Sequence, residues 1–340
     1  MFRVFTTLPI ALALVGCGAT MAHDQSVAIA SQSGSAPVRQ GGDRIILLGT
    51  KGGPVADPTR SEPASLLVIG GTPYLIDAGA GTLHRLAEAG FEPASLSSIF
   101  ITHHHLDHTA GLGPLLSLNW INTGLGGSEI EEVGVYGPPA TAELTNAVLA
   151  GLAVSERIFK AGIPSLPAAK DRFVGHDMAP GRIYADENVI VTATENSHFS
   201  HRSTGPDGQL DRSYSYRFDT VGGSVVFTGD TGPSEAVVEL AKDADILVSE
   251  VLNPIGRDGS VRSGETADEL AEHMTLEHLT GFEVGKLAAA AGVGRLVLYH
   301  LVGNMDARSQ ALVLANVRKS YAGDVVFGED LMEVPISAAH

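Results

Sequence analysis

Ser98-Ile99-Phe100-Ile101-Thr102-His103-His104-His105-Leu106-Asp107-His108 sets an apolar strand directly ahead of four histidines and an aspartate. Residues 98–102 read as a buried strand. A chain that leaves such a strand and at once presents His103, His105, Asp107 and His108 on one turn has a strong candidate use for them. Three imidazoles and a carboxylate so close together converge readily on a borderline-soft cation such as zinc. Protonated imidazoles would repel one another, so a chance surface cluster explains the turn poorly. Small Thr109, Ala110 and Gly111 follow and leave room for close packing. One turn cannot close two metal sites, so further ligands must come from elsewhere.

Three residues stand at the ends of other apolar runs. His198 closes Glu195-Asn196-Ser197-His198, Asp230 follows Val225-Val226-Phe227-Thr228-Gly229, and His300 follows Leu296-Val297-Leu298-Tyr299. Singly, each is as readily a turn residue. Together with the first cluster, polar groups delivered by buried strands read as one site. His278, in Thr275-Leu276-Glu277-His278-Leu279-Thr280, is either a solvated residue near an N-cap at Thr280 or a proton donor at that site. His104 reads as a bystander, and His201 as a residue lining the pocket.

Around these positions, segments 44–48, 65–69, 74–76, 133–136, 189–194, 214–219, 224–228, 246–248, 295–300 and 324–327 have strand character. Segments 82–89, 112–120, 140–158, 235–242, 279–291 and 307–320 have helical periodicity or caps. Residues 161–188 are weakly periodic and read as a long loop over one face. Two β-rich halves, each with helices, predict an α/β fold of the four-layer αβ/βα sandwich type over residues 43–340, rather than a doubly wound parallel sheet.

The 340 residues, 44% hydrophobic and 18% charged, suffice for a sizeable core. The net charge of -17 repels phosphate backbones at long range, and no run of Lys or Arg offsets it, which argues against a nucleic-acid partner. Arg3 followed by the mostly apolar stretch from Val4 to Val15 reads as an export signal too short to span a bilayer well. Leu14-Val15-Gly16-Cys17 resembles a bacterial lipobox. Residues 1–17 would then be a lipoprotein signal peptide and 18–42, with Ser31-Gln32-Ser33-Gly34-Ser35, a flexible tether. The protein would be periplasmic, touching the membrane only through lipidated Cys17; ordinary cleavage after Ala22, giving a soluble periplasmic form, is the competing reading. Cys17 is the sole cysteine, so disulfides and cysteine ligands are excluded.

The ordered set His103-x-His105-x-Asp107-His108, His198, Asp230 and His300 resembles the metallo-β-lactamase superfamily, and within it the ribonuclease Z and arylsulfatase-like branch. Leu48-Gly49-Thr50, Tyr74-Leu75-Ile76-Asp77-Ala78-Gly79, Phe227-Thr228-Gly229-Asp230-Thr231 and Leu298-Tyr299-His300-Leu301 match in order. The resemblance implies a metallo-β-lactamase fold and two divalent metals, zinc first, with manganese or iron also compatible. His103, His105 and His198 would hold one metal, Asp107, His108 and His300 the other, and Asp230 would bridge them. Asp107 would also orient a metal-bridging hydroxide, Asp77 would support the histidine turn, and His278 would serve the leaving oxygen. The 31 residues between His198 and Asp230 hold no basic, glycine-rich arm for gripping transfer RNA. The first expectation is therefore an exported hydrolase of a small sulfate ester or phosphodiester. Its rivals are a lactonase or β-lactamase-type hydrolase, a ribonuclease Z-like endonuclease and a non-catalytic metal-binding lipoprotein. A homo-oligomer is compatible with all of them.

Overall fold

Alternation inside the apolar runs builds the layers. In the strand Arg44–Gly49 (β1), Ile45 and Leu47 enter one apolar cluster while Ile46 and Leu48 enter another. Successive side chains of a strand point to opposite faces, so a fully apolar run must be covered on both. The structure is a computed structural model describing residues 42–53, 55–126, 132–200, 211–253 and 274–337, all within one unit spanning residues 38–340. Residues 1–41, with the signal and tether expected there, and residues 201–210, with His201, lie outside the described residues.

Two seven-stranded sheets face each other. The first joins β1, Ala64–Ile69 (β2), Thr72–Ile76 (β3), Ser98–Phe100 (β4), Val133–Gly137 (β5) and Phe173–Asp177 (β6), and Glu333–Pro335 (β14) adds to the free edge of β1. The second runs from Gly181–Ala185 (β7) through Val189–Glu195 (β8), Tyr214–Thr220 (β9), Ser224–Phe227 (β10), Ile246–Leu252 (β11) and Arg295–Val302 (β12) to Asp324–Phe327 (β13). In each sheet one half is antiparallel and the other parallel: β3 to β6 in the first, β10 to β13 in the second.

Between the sheets lies a core of Ile45, Leu67, Tyr74 and Phe100 from one side and Val191, Tyr216, Phe218 and Phe227 from the other. On the outer face of the first sheet, Leu86 of helix Thr82–Glu88, Leu115 and Trp120 of helix Leu112–Gly126 and Leu149 of helix Thr141–Gly151 cover Ile46, Leu66 and Ile99. On the second sheet, Val237 of helix Glu235–Leu240, Leu287 of helix Gly281–Ala291 and Val313 of helix Ala307–Val317 cover Leu247, Leu296 and Leu298. Three apolar layers between four layers of elements make the αβ/βα sandwich expected of the sequence.

Three local expectations change. Residues 161–188 are not a long loop, because they carry β6 and β7, which edge one sheet and the other. Edge strands are covered on fewer sides, so their residues need not be apolar, and the signal of β6 is correspondingly faint. The helix expected over 140–158 divides into Thr141–Gly151 and Ala153–Gly162, beside Gly151, a residue unfavourable in a helix interior. The final strand, β14, was not expected. Among the described residues, no helix is long and apolar enough to cross a membrane.

Candidate metal centre

The site forms where strands end. Asp77 follows β3, the His103–His108 turn follows β4, His198 follows β8 and Asp230 follows β10. Two backbone contacts lock the first two of these turns together: Ala78 N–H donates to the His108 carbonyl at 2.8 Å, and Gly111 N–H to the Ala78 carbonyl at 2.8 Å. The approach is so close that a Cβ on Gly79 would stand 2.2 Å from the Asp107 carbonyl oxygen. Asp77 itself sits in the left-handed region, at φ 59°. Its carboxylate accepts from Thr102 N–H at 2.8 Å and from His108 Nδ1 at 2.8 Å. That bond occupies Nδ1 and leaves Nε2 to face inward.

His300 reaches the site by a different device. Glu250 pairs with Tyr299 and Val251 with Leu301, so His300 is the extra residue of a bulge in β12, with φ 44°. A bulge re-aims the side chain it carries. The strand continues to Val302 rather than ending at His300 as expected.

The expected ligands divide into two groups. His103 Nε2 and His198 Nε2 lie 3.0 and 3.2 Å from His105 Nδ1. In the second group, Asp230 Oδ1 lies 3.3 Å from His108 Nε2 and 3.1 Å from His300 Nε2, and Asp107 Oδ2 lies 3.4 Å from His300 Nε2. The other Asp230 oxygen, Oδ2, is 3.9 Å from His103 Nε2, so this carboxylate stands between the groups. His198 Nδ1 donates to the Glu277 carbonyl at 3.0 Å, again leaving Nε2 to face the centre.

These donors suit divalent cations. His108 Nε2, Asp230 Oδ1 and His300 Nε2 are buried without a hydrogen-bond partner, although buried polar atoms are ordinarily satisfied. Imidazole nitrogens and a carboxylate oxygen that converge in this way form the donor set a divalent cation takes. Burial drives His103 well below the ordinary imidazole value and His198 down to about 3, so both rings are neutral and able to donate a lone pair. Burial also opposes charge on Asp107, yet the His300 and His108 rings outweigh it and hold the carboxyl down at about 2.

His278 is not the solvated residue of one expectation. It is 8% exposed, and its Nδ1 lies 2.6 Å from Oε2 of the fully buried Glu250. Burial lowers its basicity, but Glu250 more than compensates and raises it to about 9. The helix cap falls to Thr280, whose capping box with Glu283 starts helix Gly281–Ala291. Glu250 was missed in the sequence. The signal available was a carboxylate inside the otherwise apolar or small run Ile246-Leu247-Val248-Ser249-Glu250-Val251-Leu252. His104 turns away as expected, its Nε2 lying 2.9 Å from Thr141 Oγ1.

Known proteins bear on this geometry. The metallo-beta-lactamase superfamily profile matches residues 58–272. The chain is 32% identical over 298 residues to a protein named Ribonuclease Z from Mycobacterium avium, a match covering 86% of this chain and 98% of that one. A Ribonuclease Z from Mycobacterium marinum is 31% identical, with 86% and 99% covered. Among solved structures, the fold resembles the metallo-beta-lactamase fold protein YhfI of Bacillus subtilis, with a TM-score of 0.62 at 21% identity over 86% of this chain and 98% of that one. The short form of human tRNase Z gives a TM-score of 0.59 at 22% identity, over 86% and 99%. With two facing sheets, buried histidine and aspartate groups at their strand ends and relatives matched over nearly their full length, the chain belongs to the metallo-beta-lactamase superfamily.

Proposed function

We propose that the protein is a two-metal phosphodiester hydrolase of the ribonuclease Z kind, acting on RNA. The observation that carries this reading is the pairing of His278 with Glu250 beside two groups of inward-facing donors. His103, His105 and His198 would hold one cation, Asp107, His108 and His300 the second, with Asp230 between them. Divalent cations bound there supply Lewis acidity toward the phosphoryl oxygens and lower the pKa of water. The protein's own residues supply the rest. Asp77 fixes the His108 ring, Glu250 holds His278 in its protonated form, and His278 gives a proton to the departing oxygen. A proton donor matters most where the leaving oxygen is poor, as it is for a ribose alkoxide.

The substrate class departs from the first expectation of a small ester. The relatives named Ribonuclease Z match over 98% of their own length, so overall extent does not separate this chain from them. Net charge is a property of the whole surface and does not decide the potential at one mouth. Nucleic acid therefore replaces the sulfate ester as the favoured substrate. The test is metal content together with a panel of a transfer-RNA precursor, bis(p-nitrophenyl) phosphate, an aryl sulfate, a lactone and a cephalosporin. RNA and diester cleavage abolished by chelation is expected. Dominant turnover of the lactone or cephalosporin would overturn the reading, as would a purified protein that carries no metal.

A further inference from the structure

Three of the expected ligand histidines are steered by an oxygen at the nitrogen turned away from the site. His108 Nδ1 has the Asp77 carboxylate at 2.8 Å, His198 Nδ1 the Glu277 carbonyl at 3.0 Å and His103 Nδ1 the Thr102 hydroxyl at 3.1 Å. Outer contacts of this kind fix ring orientation and tune metal affinity. His300 differs. Its Nδ1 is buried without a hydrogen-bond partner. The nearby carboxylate, Glu250, stands 3.8 Å away, and both its oxygens are engaged, Oε1 by Thr231 N–H and Oε2 by His278.

What lies against the His300 ring is backbone. Lys51 forms a parallel bridge with Leu301, the residue after His300. Leu301 N–H donates to the Thr50 carbonyl at 2.8 Å, and Gly52 N–H donates to the Leu301 carbonyl at 3.1 Å. These bonds draw the segment Thr50-Lys51-Gly52-Gly53 onto the strand beside the bulge. A Cβ on Gly52 would stand 2.7 Å from His300 Nδ1, 2.9 Å from its Cε1 and 2.7 Å from Val302 Cγ2. The φ of Gly52 is not positive, so the close approach, not the backbone conformation, calls for glycine there. Gly53, in the left-handed region at φ 81°, donates its N–H to Asp107 Oδ2 at 2.9 Å, and that oxygen lies 3.4 Å from His300 Nε2. Two successive glycines thus meet two expected donors of the second group, His300 by contact and Asp107 by a hydrogen bond.

We infer, on the two-metal assignment proposed above, that Gly52 is the positioning residue for His300 and that the Gly52-Gly53 backbone sets how firmly the second cation position is held. Zinc binding is to be measured on metal-free wild type and Gly52→Ala, by calorimetry and by metal content after dialysis. Wild type is expected to take up two equivalents. Gly52→Ala should keep the equivalent held by His103, His105 and His198 at wild-type affinity. It should bind the other about 10- to 100-fold more weakly, the range for loss of an outer contact on a ligand. Two equivalents at wild-type affinity in Gly52→Ala would overturn the inference. Equal weakening of both would also overturn it, because general loosening of the fold produces that result. The imidazole proton spectrum of the metal-free proteins needs no zinc. In it the His300 signal, identified by its absence from His300→Ala, should move in Gly52→Ala while that of His198 stays. If wild type binds no zinc, the two-metal reading fails and this spectrum alone decides: a shifted His300 signal upholds Gly52 as its positioning residue, and an unshifted one overturns it. Should Gly52→Ala not fold, the double variant Gly52→Ala/His300→Ala removes the ring that the new Cβ meets. A folded double variant then upholds the inference, and an unfolded one overturns it.

Discussion

Single side chains at this site act through the hydrogen bond on their far side. Asp77 touches neither donor group's centre, but it accepts from Thr102 and His108 and so decides which nitrogen of His108 faces inward. Asp77→Asn is expected to weaken zinc binding by about 10- to 100-fold, read by competition with a chromogenic chelator. Unchanged affinity would show that backbone packing alone orients His108. Glu250 has the same relation to His278. Glu250→Gln should lower kcat on a diester by roughly 100-fold, the lower end of general-acid contributions. The loss should grow as the leaving group becomes poorer, which steady-state rates on a series of substituted aryl phosphodiesters would reveal. A uniform loss across the series would assign Glu250 to structure rather than to proton delivery.

At the scale of elements, the two sheets are tied by a polar contact, from the end of edge strand β7 to central strand β3, as well as through the core between them. Asp186, just after β7, accepts from the Tyr74 hydroxyl of β3 at 2.6 Å and the Tyr184 hydroxyl at 2.9 Å, and from the Asn188 and Val189 amides at 2.8 and 2.9 Å. Burial works against this carboxylate, but those donors outweigh it and lower its pKa below the ordinary aspartate value. Its contribution to stability is therefore present above the ordinary pKa and fades as pH falls through the lower, folded value. Asp186→Asn is expected to destabilise by roughly 1 kcal/mol at neutral pH, with the difference from wild type shrinking in acid. Urea unfolding at several pH values would check this, and a difference that widened on acidification would contradict it. Segment 161–188, which holds β6 and β7, also shows how much of an element is context. The partly polar Phe173–Asp177 is a strand because β5 offers it an open edge with register from Val133 to Gly137.

For the molecule as a whole, the gathered donor groups tie metal binding to the folded state. Asp230 Oδ1 lies 3.3 Å from His108 Nε2 and 3.1 Å from His300 Nε2, all three buried without a hydrogen-bond partner, so the folded chain holds them ready for a cation. A ligand that binds only the folded state stabilises it by mass action, about 4 kcal/mol at a thousand times its Kd. Removal of metal should accordingly lower Tm, and excess zinc should restore it. A melting temperature indifferent to chelation would argue against cation binding at this centre.

The fold class was legible in the sequence because its signal is local and repeated. Runs such as Ile45-Ile46-Leu47-Leu48 and Leu296-Val297-Leu298-Tyr299 are apolar on both faces, and only sheets covered on both sides can bury them. The seven expected donors stand out for a similar reason: the turn with His103, His105, Asp107 and His108, then His198 and Asp230, follow apolar runs, and His300 interrupts one. What tertiary structure alone decided is which atoms meet. Glu250 and His278 are 28 residues apart, and only the pairing of β11 with β12 and the start of helix Gly281–Ala291 bring them within 2.6 Å. The bulge that swings His300 inward and the pinning of Lys51 beside Leu301 are likewise products of strand register. Strands apolar on both faces carry no alternation that would single out one register, so contacts between distant segments decide it.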